Sequence, residues 1–500
     1  MLNWLLALGS AALLIFTFPK FSIVWFAPVA LTPLLVAMIR EPRWGRRFLL
    51  GWGAGVVYWF GVCYWIQFVL SFHGGLGDTA GWAVFLLFAV TKALHMGVFG
   101  ALAGVLMRRW WAIPSVAALW VAVEVTHGPL GFAWLALGNA GIDMGLPMRL
   151  APFTGVYGIS FVFAMMAAAL ALAAVRRPRV ELLWLAPVLL LTLLPQLPLP
   201  ERGHEAALLV QPKISETEQW TAASVDAMKR RQVALSLRGA LAESGPPPSI
   251  IVWPEVPAPL YYFEDPVLRG YVDSLARAAK AYVLLGIVAH TPGGAPLNSA
   301  VLVSAEGEPV SRYDKVNLVP FGEFVPWPFG FANKISTEIG DFAAGHRVVV
   351  SPVGTHKIGT FICYESVFPG FVRKFAAGGA EVLFNISNDG WFGKSAAREQ
   401  HLSMVRMRAA ENRRWILRST NDGITATIDS AGRLRGTLPP FVEATSYTGF
   451  SYVQARTVYT RFGDWFPLLC AMVAVLGMVA EQVLAYPPRS RGLPWEQRCR

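Results

Sequence analysis

The sequence predicts a polytopic α-helical membrane domain of about eight spans that carries an extracytoplasmic α/β sandwich, with sheets inside and helices outside. Three observations predict it. Of 500 residues, 54% are apolar and the mean hydropathy is positive, too oily for a soluble chain of this length. Apolar runs long enough to cross roughly 30 Å of hydrocarbon crowd into the first 198 residues and return once near the C-terminus. Between them the chain turns polar, and its apolar runs shorten to strand length with helical patterns interposed.

The expected spans run over about 3–18, 21–39, 48–71, 81–107, 112–127, 157–175, 181–198 and 464–485. The first lacks a basic leader and a small-residue cleavage site, and a second apolar run follows at once, so it reads as a retained helix. Arginines set the orientation, because short loops rich in Lys and Arg stay in the cytoplasm. Arg40, Arg43, Arg46 and Arg47 fill the second loop, Arg108 and Arg109 the fourth, and Arg176, Arg177 and Arg179 the sixth. Arg489, Arg491, Arg498 and Arg500 mark the tail, whereas the odd-numbered short loops hold little beyond Lys20 and Arg149. Both termini are therefore expected in the cytoplasm, and the polar stretch outside, in a bacterial periplasm. The formal charge of +11 is then topological arginine facing anionic lipid rather than a footprint for nucleic acid. Within the spans, Lys92 and Glu124 are expected to pair, with a lipid-headgroup site as the alternative; His95, one turn from Lys92, can join either.

The prolines of LLPQLPLPERGHE end the seventh span near residue 199. The expected organisation is a membrane domain over 1–198, an outer domain over 199–463, a last span over 464–486 and a basic cytoplasmic tail over 487–500. In the outer domain AALLV (206–210), SIIVW (249–253), YVLLGIV (282–288), SAVLVS (299–304), IGTFIC (358–363) and EVLFNI (381–386) have strand length. The longest helical patterns cover 222–243 and 396–414. There is more strand here than a simple βαβ array uses, which points to a sandwich. The segment 316–340, VNLVPFGEFVPWPFGFANKISTEIG, follows neither period and is strongly aromatic.

Three polar residues each close an apolar run of the outer domain: Glu255 in IIVWPE, Lys315 in SRYDK and Cys363 in IGTFICYE. Cys363 precedes YESVFPGFVRKFA, which can form a helix, so its thiol stands at a strand-to-helix turn where helix amides favour thiolate and oxyanion. Cys63 and Cys470 fall within spans and Cys499 in the tail, which leaves Cys363 without a disulfide partner outside. Pro254 stops a buried strand and sets Glu255 at a sheet end. Taken singly, these are a core thiol, a loop acid and a surface lysine. Together they supply a carboxylate that takes a thiol proton and returns it, and an ammonium that holds a tetrahedral oxyanion. The eight histidines are scattered without HExxH or Cys/His pairs, and there is no phosphate-binding glycine loop or Gly-x-Ser-x-Gly elbow. Neither a metal site nor a cofactor is expected.

WPE, YDK and CYE in this order resemble the Glu-Lys-Cys signature of the nitrilase superfamily, and NDGWFG (388–393) is a further mark of it. The spans together with YDKVNLVPFGEFVP (313–326), ICYES (362–366), NISNDGWFG (385–393), QHLSMVRMRAAENRR (400–414) and LRSTNDGITATID (417–429) resemble the bacterial apolipoprotein N-acyltransferases. ALWVAVE (118–124) and GVYGISF (155–161) extend the likeness into the membrane part.

The resemblance implies a nitrilase-like α-β-β-α domain with Cys363 as nucleophile, Glu255 as general base and then acid, and Lys315 as oxyanion partner. It implies support from Glu323 in PFGEF and from Tyr364 and Glu365 beside the thiol, places Trp220 near the lipid site, and puts Asn388 and Trp391 on the pocket. The implied reaction is ping-pong. A fatty acyl chain passes from a membrane phospholipid through an S-acyl cysteine to the α-amine of a diacylglyceryl-cysteine apolipoprotein, in a monomeric inner-membrane enzyme. On that reading Leu318, Val319, Phe321, Phe324, Trp327, Phe329 and Phe331, with Tyr261, Tyr262 and Phe263, are either interfacial arms that guide acyl chains or ordinary core. The sequence departs from the family at KSAARE (394–399), where glycine-proline is usual before QH, at Trp415 and at Ala133. Two rivals remain: an anchored amidase with water as acceptor, and a binding protein in which Cys363 is inert and Cys363→Ala is harmless.

Overall fold

The membrane half packs around its least bulky helix. Its elements are α1 (Leu2–Thr17), α2 (Thr32–Arg40), α3 (Trp44–Val62), the short α4 (Trp65–Phe68), α5 (Gly77–Lys92), α6 (Leu94–Leu106), α7 (Ala112–Val125), the one-turn α8 (Ala151–Thr154), α9 (Val156–Ala174) and the one-turn α10 (Ala186–Leu189). In α9 the sequence VYGISFVFAMMAAALALAA offers mostly small side chains, so α2 and α7 approach its backbone closely and most of its residues are buried. The computed structural model describes residues 1–129, 132–200, 202–218, 220–242, 245–324 and 342–485. Trp327, Phe329, Phe331, Arg489, Arg491, Arg498, Cys499 and Arg500 lie outside the described residues.

Among the described residues three helices are long and apolar enough to cross a bilayer: Gly77–Leu106, Val156–Ala174 and Trp465–Leu484. The segments Trp44–Val62 and Trp65–His73, bent by 60°, make a fourth when taken as one span, and Leu2–Thr17 and Ala112–Val125 are shorter apolar helices. The run expected over 21–39 is divided into a 3-10 turn at Val24–Phe26 and the nine-residue α2, which opens at Pro33. The run expected over 181–198 is a succession of 3-10 and α turns from Arg179 to Leu193 that ends ahead of Pro195 and Pro198.

Lys92 and Glu124 do not pair, contrary to expectation. Lys92 ends α5 and points its ammonium over the ring faces of Trp59 and Phe132, 5.5 and 6.0 Å from their centroids. Glu124, near the end of α7, turns to the 3-10 segment Leu137–Asp143 and accepts from the Leu137 amide at 2.7 Å and from Trp120 Nε1 at 3.2 Å. His95 stacks instead on His127, with ring centroids 4.1 Å apart.

Among the described residues the outer half has two six-stranded sheets. Its strands are β1 (Glu205–Gln211), β2 (Ile250–Val252), β3 (Tyr282–His290), β4 (Pro296–Val303), β5 (Pro309–Asp314), β6 (Val350–Val353), β7 (His356–Ile362), β8 (Val382–Ser387), β9 (Ile416–Thr420), β10 (Ala426–Ile428), β11 (Leu434–Thr437) and β12 (Ala444–Phe450). The orders are β12-β1-β2-β3-β4-β5 and β11-β10-β9-β8-β7-β6, with β1–β2–β3 parallel in the first sheet and β7–β8–β9 parallel in the second. The helices are α11 (Ala222–Ala242), α12 (Pro266–Ala279), α13 (Pro369–Ala377) and α14 (Ala397–Asn412), followed by α15 (Val458–Phe462) and α16 (Trp465–Ala485).

Strand period decides which residue faces which layer. Ala207, Leu209, Ile250, Val252 and Leu284 pack between the sheets against Phe361, Phe384, Ile386 and Leu417, while the alternate Leu208, Val210, Ile251, Val283 and Leu285 face outward onto Leu268, Val272 and Leu275 of α12. Both faces are covered, so these strands read as continuous apolar runs.

Helix α14 is covered on both sides as well. Leu402, Val405 and Ala409 join the core of the second sheet, and Ala397, Met404, Met407 and Ala410 join the core of the membrane helices. Its polar residues finish the junction. Gln400 accepts from Trp134 Nε1 at 2.8 Å and donates to the carbonyls of Pro19 at 2.7 Å and Val62 at 3.1 Å, and Glu411 accepts the first amide of α9, Val156, at 2.9 Å. The outer half is thus fastened to the membrane half by the helix that follows the NDGWFG turn.

Candidate active site

Strand ends of both sheets converge on one site. Glu255 follows β2 and Pro254, Lys315 follows β5, Cys363 follows β7, and Asn388 follows β8. Open α/β sheets bind ligands outside the carboxyl ends of their strands, and this site obeys that rule. Gly286 on β3 makes room for the Glu255 turn, since a Cβ there would meet the Pro254 carbonyl oxygen at 2.8 Å and Glu255 Cα at 3.0 Å.

Lys315 is fully buried between two carboxylates, donating to Glu323 Oε1 at 2.9 Å and, at a longer 3.4 Å, to Glu255 Oε1. Burial opposes the ammonium charge, but Glu255, Glu323 and the Cys363 sulfur outweigh it and hold the lysine above its ordinary value. The Asn298 amide bridges the same pair, donating to Glu255 Oε1 and to Glu323 Oε1 at 2.6 Å each. Glu255 Oε2 accepts the Asn388 amide at 2.9 Å, and Glu323 Oε2 accepts the Val319 amide at 2.8 Å. Every carboxylate oxygen of the pair is therefore engaged.

Cys363 lies at the start of a 3-10 turn, Cys363–Val367, that precedes α13. Its φ is +49°, a left-handed conformation that L side chains rarely adopt, and it sets the residue at a sharp turn off the strand end. Burial, and then the Glu255 charge, push the thiol up, while Lys315 draws it down. A thiol in that field needs a base to remove its proton and a cation to hold the resulting charge, and Glu255 and Lys315 are the charged groups that act on it most strongly, ahead of Asp389.

Glu365 is fully buried and ties the thiol turn to the lysine loop. One oxygen accepts from the Tyr313 hydroxyl at 2.6 Å and from the amides of Val316 and Asn317 at 2.8 and 3.1 Å; the other accepts the Ile362 amide at 2.8 Å. Tyr364 points the other way, its ring 6.3 Å from Phe132 in the membrane half. Trp391 stacks on His73 at 4.4 Å, also toward the membrane half. Trp220 packs against the core between the first sheet and its helices and takes no part in the hydrogen bonds of the trio. Of the aromatic segment, Val319 packs against the membrane core, Phe321 is exposed, and Tyr262 is fully buried with its hydroxyl on Asp273, so Tyr262 is core rather than an arm.

A family model described as carbon-nitrogen hydrolase matches residues 209–458, and one described as apolipoprotein N-acyltransferase N-terminal domain matches residues 10–169. The apolipoprotein N-acyltransferase of Geobacter metallireducens is similar at 33% identity, over 98% of this chain and 96% of its own. Those of Pseudomonas putida and Azotobacter vinelandii are each 32% identical, over 96% and 95% of this chain and 97% and 94% of theirs. This chain belongs to the apolipoprotein N-acyltransferase family. The carbon-nitrogen hydrolase match of this N-acyltransferase chain contains Glu255, Lys315, Glu323 and Cys363, and the N-terminal match contains α2 to α8 whole with half of α1 and most of α9.

Several site residues of this N-acyltransferase escaped the sequence reading. Asn298 interrupts the apolar strand PLNSAVLV, and Arg418 interrupts ILRST. A polar residue in a strand buried on both faces must find a partner, and that was the available signal. Glu216 also lies at the site, accepting from Asn421 Nδ2 at 3.4 Å; burial pushes its carboxyl up to about 7, against a hydrogen bond from Asn388 that favours the charge.

Proposed function

We propose that this chain transfers a fatty acyl group from a membrane phospholipid, through a thioester on Cys363, to the α-amine of a diacylglyceryl-modified N-terminal cysteine of a lipoprotein. The family supplies the reaction class, acyl transfer to lipoproteins. The observation that carries the finer reading is the buried Lys315 held between Glu255 and Glu323 beside a strained, unpaired thiol.

In the first half-reaction Glu255 takes the Cys363 proton as sulfur attacks the ester carbonyl, and the oxyanion forms against Lys315. Collapse breaks the ester bond, and Glu255 returns the proton to the departing alkoxide, releasing a lysophospholipid. In the second half, the neutral amine of the lipoprotein attacks the thioester, and Glu255 accepts the amine proton. Collapse breaks the carbon–sulfur bond, and that proton restores the Cys363 thiol. Glu323 and Asn298 position Lys315 and Glu255, Glu365 positions the thiol turn, and the aromatic faces of Tyr364 and Trp391 line the approach from the membrane. Trp220 borders the lipid site.

Both substrates are lipid-anchored, which supports a domain fastened to membrane helices. The apolar runs of the sequence support eight crossings, and the arginine distribution supports both termini in the cytoplasm with the catalytic domain, 199–463, in the periplasm. The enzyme works as a monomer without a cofactor.

Intact mass of the purified protein, after incubation in mixed micelles of phosphatidylethanolamine and phosphatidylglycerol, tests the reading. An acyl-sized gain that hydroxylamine removes and Cys363→Ser abolishes is expected. Folded protein that gains no acyl mass would transfer the reading to an amidase with a water acceptor.

A further inference from the structure

The QH pair, Gln400 and His401, lies near the start of α14. Gln400 faces the membrane half, but His401, its neighbour, turns inward and is completely buried. Its Nε2 lies 3.1 Å from the Cys363 carbonyl oxygen and 2.7 Å from Ser366 Oγ. A carbonyl only accepts, so Nε2 carries the proton and donates it there. On the opposite edge, Nδ1 lies 3.2 Å from Arg418 Nη2, a donor, and 3.2 Å from Asp389 Oδ1.

We propose that His401, held at Nδ1 by Arg418, which Asp389 fixes in turn, is a positioning residue of the nucleophile: its Nε2–H clamps the Cys363 carbonyl and keeps the backbone in the left-handed turn that aims sulfur at Glu255 and Lys315. Three observations carry this. The φ of +49° at Cys363 is a conformation that a non-glycine residue keeps only when its surroundings impose it, and the carbonyl contact is such a constraint. The clamp is itself fixed: Arg418 grips both Asp389 oxygens at 2.8 and 2.6 Å and reaches Asn385 through its other amino group, with all four residues fully buried. Finally, the clamp reaches the base. Asp389 follows Asn388, whose amide donates to Glu255 Oε2, so one short turn links the nucleophile's carbonyl to the carboxylate that must deprotonate it.

The charges agree with a neutral clamp. Burial opposes the Asp389 charge, but Arg418, which grips both its oxygens, holds it well below the usual carboxylate range. Burial, and then Arg418, push His401 below its ordinary value, so the ring stays a neutral N–H donor.

The test compares His401→Gln with His401→Asn in the full chain in detergent, because a glutamine amide reaches the Nε2 position and an asparagine amide reaches Nδ1. It rests on Cys363 as the acylated residue, and the readout is the rate of acyl-enzyme formation from the phospholipid micelles described above, with KM and the thermal midpoint measured alongside. The glutamine variant is expected within about tenfold of wild type, and the asparagine variant about 10²-fold slower at saturating donor with KM unchanged, the loss typical of a small misplacement of a reacting group. Equal rates in two variants of matching midpoint would overturn the proposal, since a residue that only fills the core would follow stability alone. If the asparagine variant does not accumulate in membranes, His401→Met takes its place with the same expectation. Wild type that never acquires acyl mass would remove the thioester reading itself, whereas acylating wild type beside equally fast variants would remove only the role of His401.

Discussion

Replacing Glu323 by glutamine takes one of two negative charges from Lys315 while keeping the shape of the site. Lys315 Nζ stands 2.9 Å from Glu323 and 3.4 Å from Glu255, so Glu323 is its nearer partner. At an effective dielectric of ~20 a pair at the nearer distance is worth about 6 kcal/mol before desolvation, and breaking a buried pair typically costs about 3–5 kcal/mol. The glutamine cannot satisfy its surroundings either, because Lys315, Asn298 and the Val319 amide all donate to Glu323 and an amide presents only one acceptor. Lys315 then closes on Glu255, neutralising the base and leaving the oxyanion position. The expected loss is that of a whole oxyanion donor, about 10²–10³ in acylation rate at saturating phospholipid, with KM within about threefold. Time-resolved intact mass of the S-acyl protein measures it, and Glu323→Asp, which keeps the charge, should fall between. Folded Glu323→Gln protein that acylates within about threefold of wild type would refute the assignment of Lys315.

The same site makes two further predictions. Gly286→Ala pushes a methyl group against Pro254 and Glu255, so acylation should fall at least about tenfold while overpacking costs about 1–3 kcal/mol of stability; an unchanged acylation rate would show that Glu255 has room to move. Burial raises the Glu216 carboxyl to about 7, so the unfolded chain ionises first as pH climbs from about 4.5, and this group's contribution to stability is lost between about 4.5 and 7. Glu216→Gln should therefore gain thermal midpoint relative to wild type on going from pH 5 to pH 8, and a midpoint difference that stays constant across that range would count against it.

How much of this was legible in sequence follows from which forces act locally. The strands buried on both faces announced themselves as apolar runs, and Pro254 marked the end of β2 as expected. The short strands Val350–Val353 and Leu434–Thr437 did not, because they are short and lie at the sheet edges, where the pattern carries little apolar signal. Glu255, Lys315 and Cys363 were named from motif order, yet their meeting could not be read: the first two close strands of one sheet and the third a strand of the other, so only the pairing of sheets brings them together. The Lys92–Glu124 pair failed for a related reason. Pairing charges across spans assumes a helix arrangement, and a backbone amide at Leu137 and two aromatic faces competed successfully for the partners.

Helix α14 explains why the outer half cannot be treated as a free enzyme. An ordinary surface helix has one face in solvent, and removing its neighbour on the dry side costs that side alone. Here Met404, Met407 and Ala410 lean on the membrane core while Leu402, Val405 and Ala409 lean on the second sheet, and the polar residues between them are spent on both. Cut from the membrane half, residues 199–463 would expose those methionines with Tyr364, Val367 and Phe392, leave Gln400 without its partners, and cost Glu411 the Val156 amide while it keeps Arg408. An exposed apolar face of that kind is an aggregation surface, and it begins one residue from the nucleophile. The segment expressed alone should therefore be aggregated by size exclusion, and detergent should recover monomer without recovering acylation of Cys363, because the turn that carries the thiol is braced from below. A soluble, monodisperse fragment that takes an acyl group from a water-soluble thioester at the rate of the full chain would show that the bracing is idle and that the membrane helices serve only to bring substrate.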